Sequence, residues 1–221
     1  MRNNLKREFE KKSWSEGECT PRSGRGSNLK NSARLRAALP GVFERYGIQS
    51  FLDAPCGDWF WMQHVDLSGV EYTGADISSD VIAQNNSKFG DPSRRFVVMD
   101  VTDDPMPNYD LVLCRDCLFH LKFWLRWAFL ENFAASESRF LMTTMHHVAK
   151  NRRLDRNGDF RPFNPTAAPF SLDPPIEWIP ETADELPPIR PETELGRKHR
   201  AVGLWTREQV VSALEQRDVR E

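Results

Sequence analysis

The sequence predicts an α/β fold in which a mainly parallel, doubly wound sheet carries helices on both faces. Three observations predict it. Short apolar runs alternate with segments of helical period from residue 48 to about residue 147; three successive runs end at or just before an acid, namely Asp53, Asp76 and Asp100; and a late apolar run, Ala201 to Trp205, precedes one more helical pattern. Strands that alternate with helices imply parallel pairing with the connecting helices packed on the sheet faces.

The elements follow in order. Asn31 to Tyr46 carries Leu35, Ala38, Leu39, Val42 and Phe43 at helical spacing, with Pro40-Gly41 expected to kink or divide it and Gly47 to end it. Ser50 to Ala54 is the first strand, and Trp59 to His64 is the possible opening of a helix. Val70 to Asp76 is the second strand, followed by a helix from Ser79 to Phe89 capped by Ser78 or Ser79. Arg95 to Asp100 is the third strand and Tyr109 to Cys114 the fourth, with a helix over Leu118 to Phe133 after it. Arg139 to Thr144 is the fifth strand. Residues 161–191 hold nine of the fifteen prolines, which excludes a regular helix or an interior strand there. Phe163, Phe170, Ile176, Trp178 and Ile179 give that stretch apolar anchors, so an ordered excursion near the functional edge is expected. Ala201 to Trp205 is the last clear strand, and Thr206 caps a final helix; any further strand would lie in the proline-rich region. The organisation is therefore a basic, partly helical extension (1–47), a core (48–147), a proline-rich excursion (148–198) and a terminal strand and helix of the same domain (199–221).

Composition narrows the function. Hydrophobic residues make up 39% of the 221 and charged residues 28%, enough for one core. No run of eighteen apolar residues could span a membrane, and the N-terminus lacks the apolar centre of a secretory signal, so a cytoplasmic protein with no membrane partner is expected. A formal net charge of -2 argues against a nucleic-acid partner. Lys6, Arg7, Lys11, Lys12, Arg22, Arg25, Lys30 and Arg34 do concentrate positive charge near the start, either as a solvated face or as a surface for an anionic acceptor. Cys19, Cys56, Cys114 and Cys117 are too few and too scattered for a disulfide framework, and the single C-x-x-C lacks the second pair of a zinc site, so no metal is expected.

In a doubly wound sheet, ligands sit beyond the carboxyl ends of the strands where strand order reverses. Asp53, Asp76 and Asp100 fall at those ends. Gly57 lets the first turn come close to a ligand, Asp76 can accept from both hydroxyls of a ribose, and Asp100 can accept from an adenine amino group. Phe51-Leu52-Asp53-Ala54-Pro55-Cys56-Gly57-Asp58 resembles the first motif of class I S-adenosylmethionine-dependent methyltransferases. Thr73-Gly74-Ala75-Asp76-Ile77 resembles the acidic end of their second strand, Met99-Asp100-Val101 their adenine-binding turn, and Tyr109 to Cys114 their fourth strand. The resemblance covers residues 48–145 and implies a Rossmann-like core with S-adenosylmethionine as cofactor. It implies that Asp53, Pro55, Cys56 and Gly57 line the methionine and ribose end, with Cys114 nearby. Asp76 would hold the ribose with Ile77 against adenine, and Asp100 and Val101 would meet the adenine edge. The family's usual first and third glycines are Pro55 and Trp59 here. A dinucleotide pyrophosphate needs G-x-G-x-x-G, which this loop lacks.

A sulfonium methyl is already activated, so alignment of the acceptor and exclusion of water matter most, with a base needed for a hydroxyl or ammonium acceptor. Asp116 and His120 lie four residues apart after the fourth strand; on a helix they would share a face, the carboxylate orienting the imidazole as base. The alternative is an Asp116 that caps a helix and an ordinary His120. Arg115, His146, His147, Asn151 and Arg161 are the candidates for binding the acceptor, and Trp14 with Ser23 to Ser27 for folding over the cofactor. The acceptor expected is a small polar molecule or a glycan, through oxygen; a nitrogen or a macromolecular acceptor, or a nucleoside-binding regulator without catalysis, are the alternatives.

Overall fold

The computed structural model describes Leu5, Phe9 and residues 21–182 and 199–218. Among these residues lie seven strands: β1 (Ser50–Asp53), β2 (Glu71–Asp76), β3 (Arg94–Val98), β4 (Leu111–Cys114), β5 (Phe140–His146), β6 (Glu177–Pro180) and β7 (Arg200–Thr206). The α-helices among them are α1 (Ala33–Tyr46), α2 (Ser79–Phe89), α3 (Phe123–Ala135) and α4 (Arg207–Asp218). The strands form one sheet in the order β3-β2-β1-β4-β5-β7-β6. β1 to β5 pair in parallel, and β7 runs antiparallel between β5 and β6. Order reverses between β1 and β4, which opens a crevice above their carboxyl ends.

Strand alternation divides the core between the two faces. Leu111, Leu113, Phe51, Tyr72, Met142 and Val202 join one buried cluster; Val112, Cys114, Leu52, Ala75, Leu141 and Trp205 join the other. α1 buries Leu35, Leu39, Val42 and Phe43 on the first face, and α3 buries Leu125, Phe129, Leu130 and Phe133 on the second.

Several elements differ from the sequence-based expectation. α1 runs unbroken through Pro40. A proline inside a helix costs about 3 kcal/mol, and burial of four large side chains at about 1.5–3 kcal/mol each outweighs it. Gly47 ends the helix as expected, at φ 59° with its N–H on the Glu44 and Phe43 carbonyls. Ser78 occupies the N-cap position of α2, but its side chain makes no capping bond. Only a single 3-10 turn, Met62–His64, forms after Trp59.

The helix expected over Leu118 to Phe133 is divided: a 3-10 turn covers Leu118–His120, and α3 begins at Phe123. The carbonyls that an early helix would need are spent elsewhere. Phe119 O accepts from Arg161 N–H (3.3 Å), His120 O from Gly158 N–H (2.7 Å) and Leu121 O from Arg126 Nε (2.7 Å). The proline-rich excursion thus competes with the helix for backbone acceptors. It also supplies the strand missing from the sequence reading, β6, at the sheet edge where prolines are tolerated. α4 opens on a reciprocal cap: Thr206 Oγ1 accepts from Gln209 N–H, and Gln209 Oε1 accepts from Thr206 N–H.

Candidate active site

A cleft of about 880 Å³ lies above the carboxyl ends of β1, β2 and β4. That is near the upper end of small-molecule sites, with room for a nucleoside cofactor beside a small acceptor. Its two ends differ in chemistry.

At one end, Asp53, Pro55, Cys56, Gly57, Asp58, Asp76, Ile77, Met99, Asp100 and Val101 line the wall. Gly57 sits at φ 53°, and its N–H donates to Asp76 Oδ2 at 3.2 Å while Ser78 N–H donates to Oδ1 at 2.9 Å. The loop is held from behind by Asn85 of α2, whose amide donates to Gly57 O at 2.8 Å. Trp59, where the family has glycine, also takes a left-handed conformation, φ 56°. That conformation costs a side-chain-bearing residue about 1–2 kcal/mol. Contacts with the Tyr72, Phe89 and Phe96 rings at 4.9–5.8 Å, and with the Arg94 guanidinium at 4.7 Å, hold it there.

The carboxylates at this end differ in their hydrogen-bond partners. Asp53 is buried and accepts from Tyr72 Oη at 2.9 Å. Burial pushes its carboxyl up to about 7, against the opposing pull of the Tyr72 hydroxyl and the Arg115 charge. Burial also raises Asp76, opposed by the Ser78 and Gly57 N–H groups. Asp100 Oδ1 accepts from Thr102 N–H and Oγ1, whereas its Oδ2 is buried without a hydrogen-bond partner. An orphaned acceptor in a ligand-sized cleft fits a donor such as an exocyclic amino group, so the residues present suit an adenosine cofactor.

At the other end, two arginines and two carboxylates close a ring of ion pairs. Arg115 meets Glu181 at 2.8 Å and Asp116 at 3.3 Å; Arg200 meets Glu181 at 2.7 Å and Asp116 at 2.9 Å. The Glu181 side chain is fully buried. Burial works against an Asp116 anion, but the Arg115 and Arg200 charges overcome it and hold the carboxyl at about 2. Arg115 also donates to Gly26 O at 2.8 Å and lies over the Trp61 ring at 5.1 Å. Near this ring the cleft is lined by Phe119, His120, Leu121 and Phe160; Leu5 and Phe9 also line the cleft. His120 Nδ1 lies 2.8 Å from Asp159 O. A carbonyl can only accept, so Nδ1 carries a proton.

Arg22 to Ser27 cross the cleft and join its two ends. Arg22 N–H and Ser23 Oγ donate to Asp58 at 2.7 and 2.8 Å, and a Cβ at Gly26 would lie 2.1 Å from Asp116 Oδ2. Only glycine lets the segment come this close.

A family profile described as a methyltransferase domain matches residues 52–135, the stretch that holds Asp53, Asp76, Asp100, Asp116 and His120. The chain matches that methyltransferase domain over 84 of its 221 residues and has the Rossmann-like fold of such domains. Its fold is shared with 1,6-didemethyltoxoflavin-N1-methyltransferase of Burkholderia thailandensis, solved with 1,6-didemethyltoxoflavin and S-adenosylhomocysteine: TM-score 0.61, 19% identity, 91% of this chain and 86% of that one. It is shared as well with magnesium protoporphyrin IX methyltransferase of Synechocystis PCC 6803: TM-score 0.52, 12% identity, 92% of each chain. No curated protein matches the chain in sequence.

Of the residues picked from sequence, the fold brings Asp53, Pro55, Cys56, Gly57, Asp76, Ile77, Asp100, Val101, Arg115, Asp116 and His120 to the cleft. Cys114 is buried in the strand instead, and Cys117, past the turn, lines the cleft in its place. Asp116 and His120 do not share a helix face, because α3 begins only at Phe123; their charges still interact. His146 and His147 are buried outside the lining. Burial, with help from the Arg200 charge, lowers His146 to about 3, and its Nδ1 accepts from Phe163 N–H. The Asn151 amide ties the excursion together on the carbonyls of Asn164, Ala167 and Ala168. Arg161 turns back to the Phe160 carbonyl at 3.3 Å. Trp14 lies outside the described residues.

Sequence reading missed Arg200, Glu181, Asn85 and Phe160. Arg200 opens an antiparallel strand, so its first residue pairs with His146 at the carboxyl edge of the parallel strands. Glu181 follows β6, whose carboxyl end reaches the same edge. The antiparallel strand pair at the end of the resembling fold was the available signal. Among the described residues no cluster of three or more metal-binding side chains occurs, and no helix is long and apolar enough to cross a membrane.

Proposed function

We propose that this protein is a class I S-adenosylmethionine-dependent methyltransferase that transfers the methyl group to a hydroxyl oxygen of a small polar molecule, with His120 as the general base. Bound S-adenosylmethionine supplies a methyl group already activated on a sulfonium. Asp76 would hold the ribose hydroxyls, Asp100 Oδ2 and Val101 the adenine edge, and Asp53 with the Pro55–Gly57 turn the methionine end. Arg22 to Ser27 and Phe9 would exclude water over the transfer path. As the new O–C bond forms and the S–C bond breaks, the acceptor proton passes to His120 Nε2.

The observation that carries this reading is the His120 Nδ1 contact with Asp159 O, which supports the tautomer a base requires. It changes the role first expected of Asp116. A carboxylate held at about 2 by two guanidiniums is a weak base, so Asp116 shapes the acceptor end and leaves proton transfer to His120. The Arg22–Ser27 segment lies across the cleft rather than forming an open basic face, which favours a small acceptor over a macromolecular one.

The test compares wild type, His120→Gln and Asp116→Asn against a panel of small hydroxyl compounds, sugars among them, with S-adenosylhomocysteine affinity measured in parallel. His120→Gln should lower kcat by about 10²–10⁴ with unchanged cofactor affinity. Asp116→Asn should act mainly on KM. Full turnover in His120→Gln would refute the base assignment.

A further inference from the structure

We infer that the acceptor is a neutral, planar aromatic or heteroaromatic compound whose reacting group is an acidic ring hydroxyl; this rests on the O-methylation reading and narrows it. Two independent features of the acceptor end carry the inference.

The first is the wall. Phe119, His120 and Phe160 present three rings from two separate segments, the turn after β4 and the proline-rich excursion. The Phe119 and His120 centroids are 4.4 Å apart, Phe119 and Phe160 5.2 Å, and His120 and Phe160 6.2 Å. His146 closes the back of the group at 5.2 Å from Phe119 and 5.6 Å from Phe160. Phe119, His120, Leu121 and Phe160 all line the cleft, so this part of its wall is a surface of ring faces and edges. Such surfaces favour a flat π-system, which can stack or meet a ring edge-on without leaving polar groups unpaired. A sugar would bring several hydroxyls against this wall. The charged groups beside it cannot serve them well, because Arg115, Asp116 and Arg200 are spent on one another and on Glu181. An acceptor carboxylate would likewise have to break into a ring of ion pairs that is already closed.

The second is the match between base and acid. A phenolic hydroxyl, near 10, gives up its proton far more readily than an alcohol comparable to water, near 15.7. A single positioned imidazole such as His120, whose Nδ1 meets the Asp159 carbonyl, therefore suits the phenolic or enolic case. The balance is complete within the proposed reaction: the ring oxygen gains the methyl, S-adenosylhomocysteine leaves, and the proton goes to His120 and then to solvent.

The experiment uses the full chain saturated with S-adenosylhomocysteine and three probes: 2-naphthol, its saturated counterpart decahydro-2-naphthol, and methyl α-glucoside. Binding is read by 2-naphthol fluorescence and by calorimetry, in wild type, Phe160→Ala and Phe160→Leu. Phe160→Leu keeps apolar bulk but removes the flat ring, so it separates stacking from general packing. The expected result is 2-naphthol binding at least tenfold tighter than either other probe. That preference should be lost in both variants while their S-adenosylhomocysteine affinity stays at the wild-type level. Equal or tighter binding of decahydro-2-naphthol or methyl α-glucoside, or no binding of 2-naphthol, overturns the inference. Exchange of S-adenosylhomocysteine for S-adenosylmethionine then tests chemistry by mass spectrometry. An O-methylated naphthol supports both readings, whereas naphthol bound but unmethylated supports the aromatic wall and overturns His120 as the base.

Discussion

Asp53→Asn should make the cofactor-free protein more stable at alkaline pH while weakening the cofactor site. Asp53 is 1% exposed, and its carboxyl is pushed from 3.8 to about 7. The folded state therefore holds this proton more tightly than the unfolded chain does. Stability from this group is complete below about 3.8, falls as pH rises, and is fully lost above about 7. At about 1.36 kcal/mol per pH unit the whole loss is roughly 4 kcal/mol, of which about 2.5 kcal/mol falls between pH 5 and pH 8. An asparagine keeps an oxygen for the Tyr72 hydroxyl but has no charge to desolvate. Urea unfolding of cofactor-free wild type and Asp53→Asn at half-unit steps from pH 5 to pH 8 measures the effect, since other titrating groups cancel in the difference. The gap between variant and wild type should widen with pH by about 2.5 kcal/mol. A gap that stays constant, or narrows as pH rises, would refute the reasoning. The same comparison by calorimetry should show S-adenosylmethionine binding weaker in the variant, because a charged partner for the methionine end has been removed.

Three further outcomes are expected. Asp76→Ala should weaken S-adenosylmethionine binding about a hundredfold by calorimetry, from the loss of two charge-assisted bonds to ribose hydroxyls at about 1.5–3 kcal/mol each, less relaxation. Glu181→Gln should cost about 3–5 kcal/mol in chemical unfolding, because it leaves the Arg115 and Arg200 charges without their buried shared partner; a loss below 1 kcal/mol in that titration would show the ring to be structurally idle. Trp59→Gly frees a strained φ yet empties the aromatic cluster around Tyr72, Phe89 and Phe96. It should lower stability by about 2–3 kcal/mol in the same assay, and a stabilised variant would mean that backbone strain dominates at that position.

The meeting of Asp53, Asp76 and Asp100 in one cleft was legible in the sequence because its determinants are local. Asp53, Asp76 and Asp100 each follow their own strand, and period-2 alternation with a parallel crossover suffices to bring such ends together. The acceptor end was not. Arg200 and Glu181 reach it through antiparallel pairing at the far side of the sheet, a long-range choice that no short motif records. The turn after β4 was misread for a related reason. Its residues have helical period, but the carbonyls of Phe119 and His120 bond to the excursion about forty residues later. Cys114 and Cys117 show the same limit at the scale of one turn: the strand sends the first to the core, and only the chain reversal after it sends the second to the cleft.

The placement of Arg200 at the mouth of β7 constrains how this protein can diversify. The side chain that reaches Asp116 and Glu181 shares a strand with the buried Ala201, Val202, Leu204 and Trp205. In a strand, insertion or deletion of a single residue inverts every side chain beyond it. A shift that carried Arg200 away from the cleft would also turn Trp205 out of the core and leave its Nε1 bond to Asp173 O unmade. Changes of acceptor preference are thereby channelled into the turn after β4, the excursion around Phe160 and the segment crossing at Gly26, where length can vary without disturbing strand register. Laboratory evolution toward new acceptors should accumulate its insertions there and its point substitutions, never its length changes, in β7.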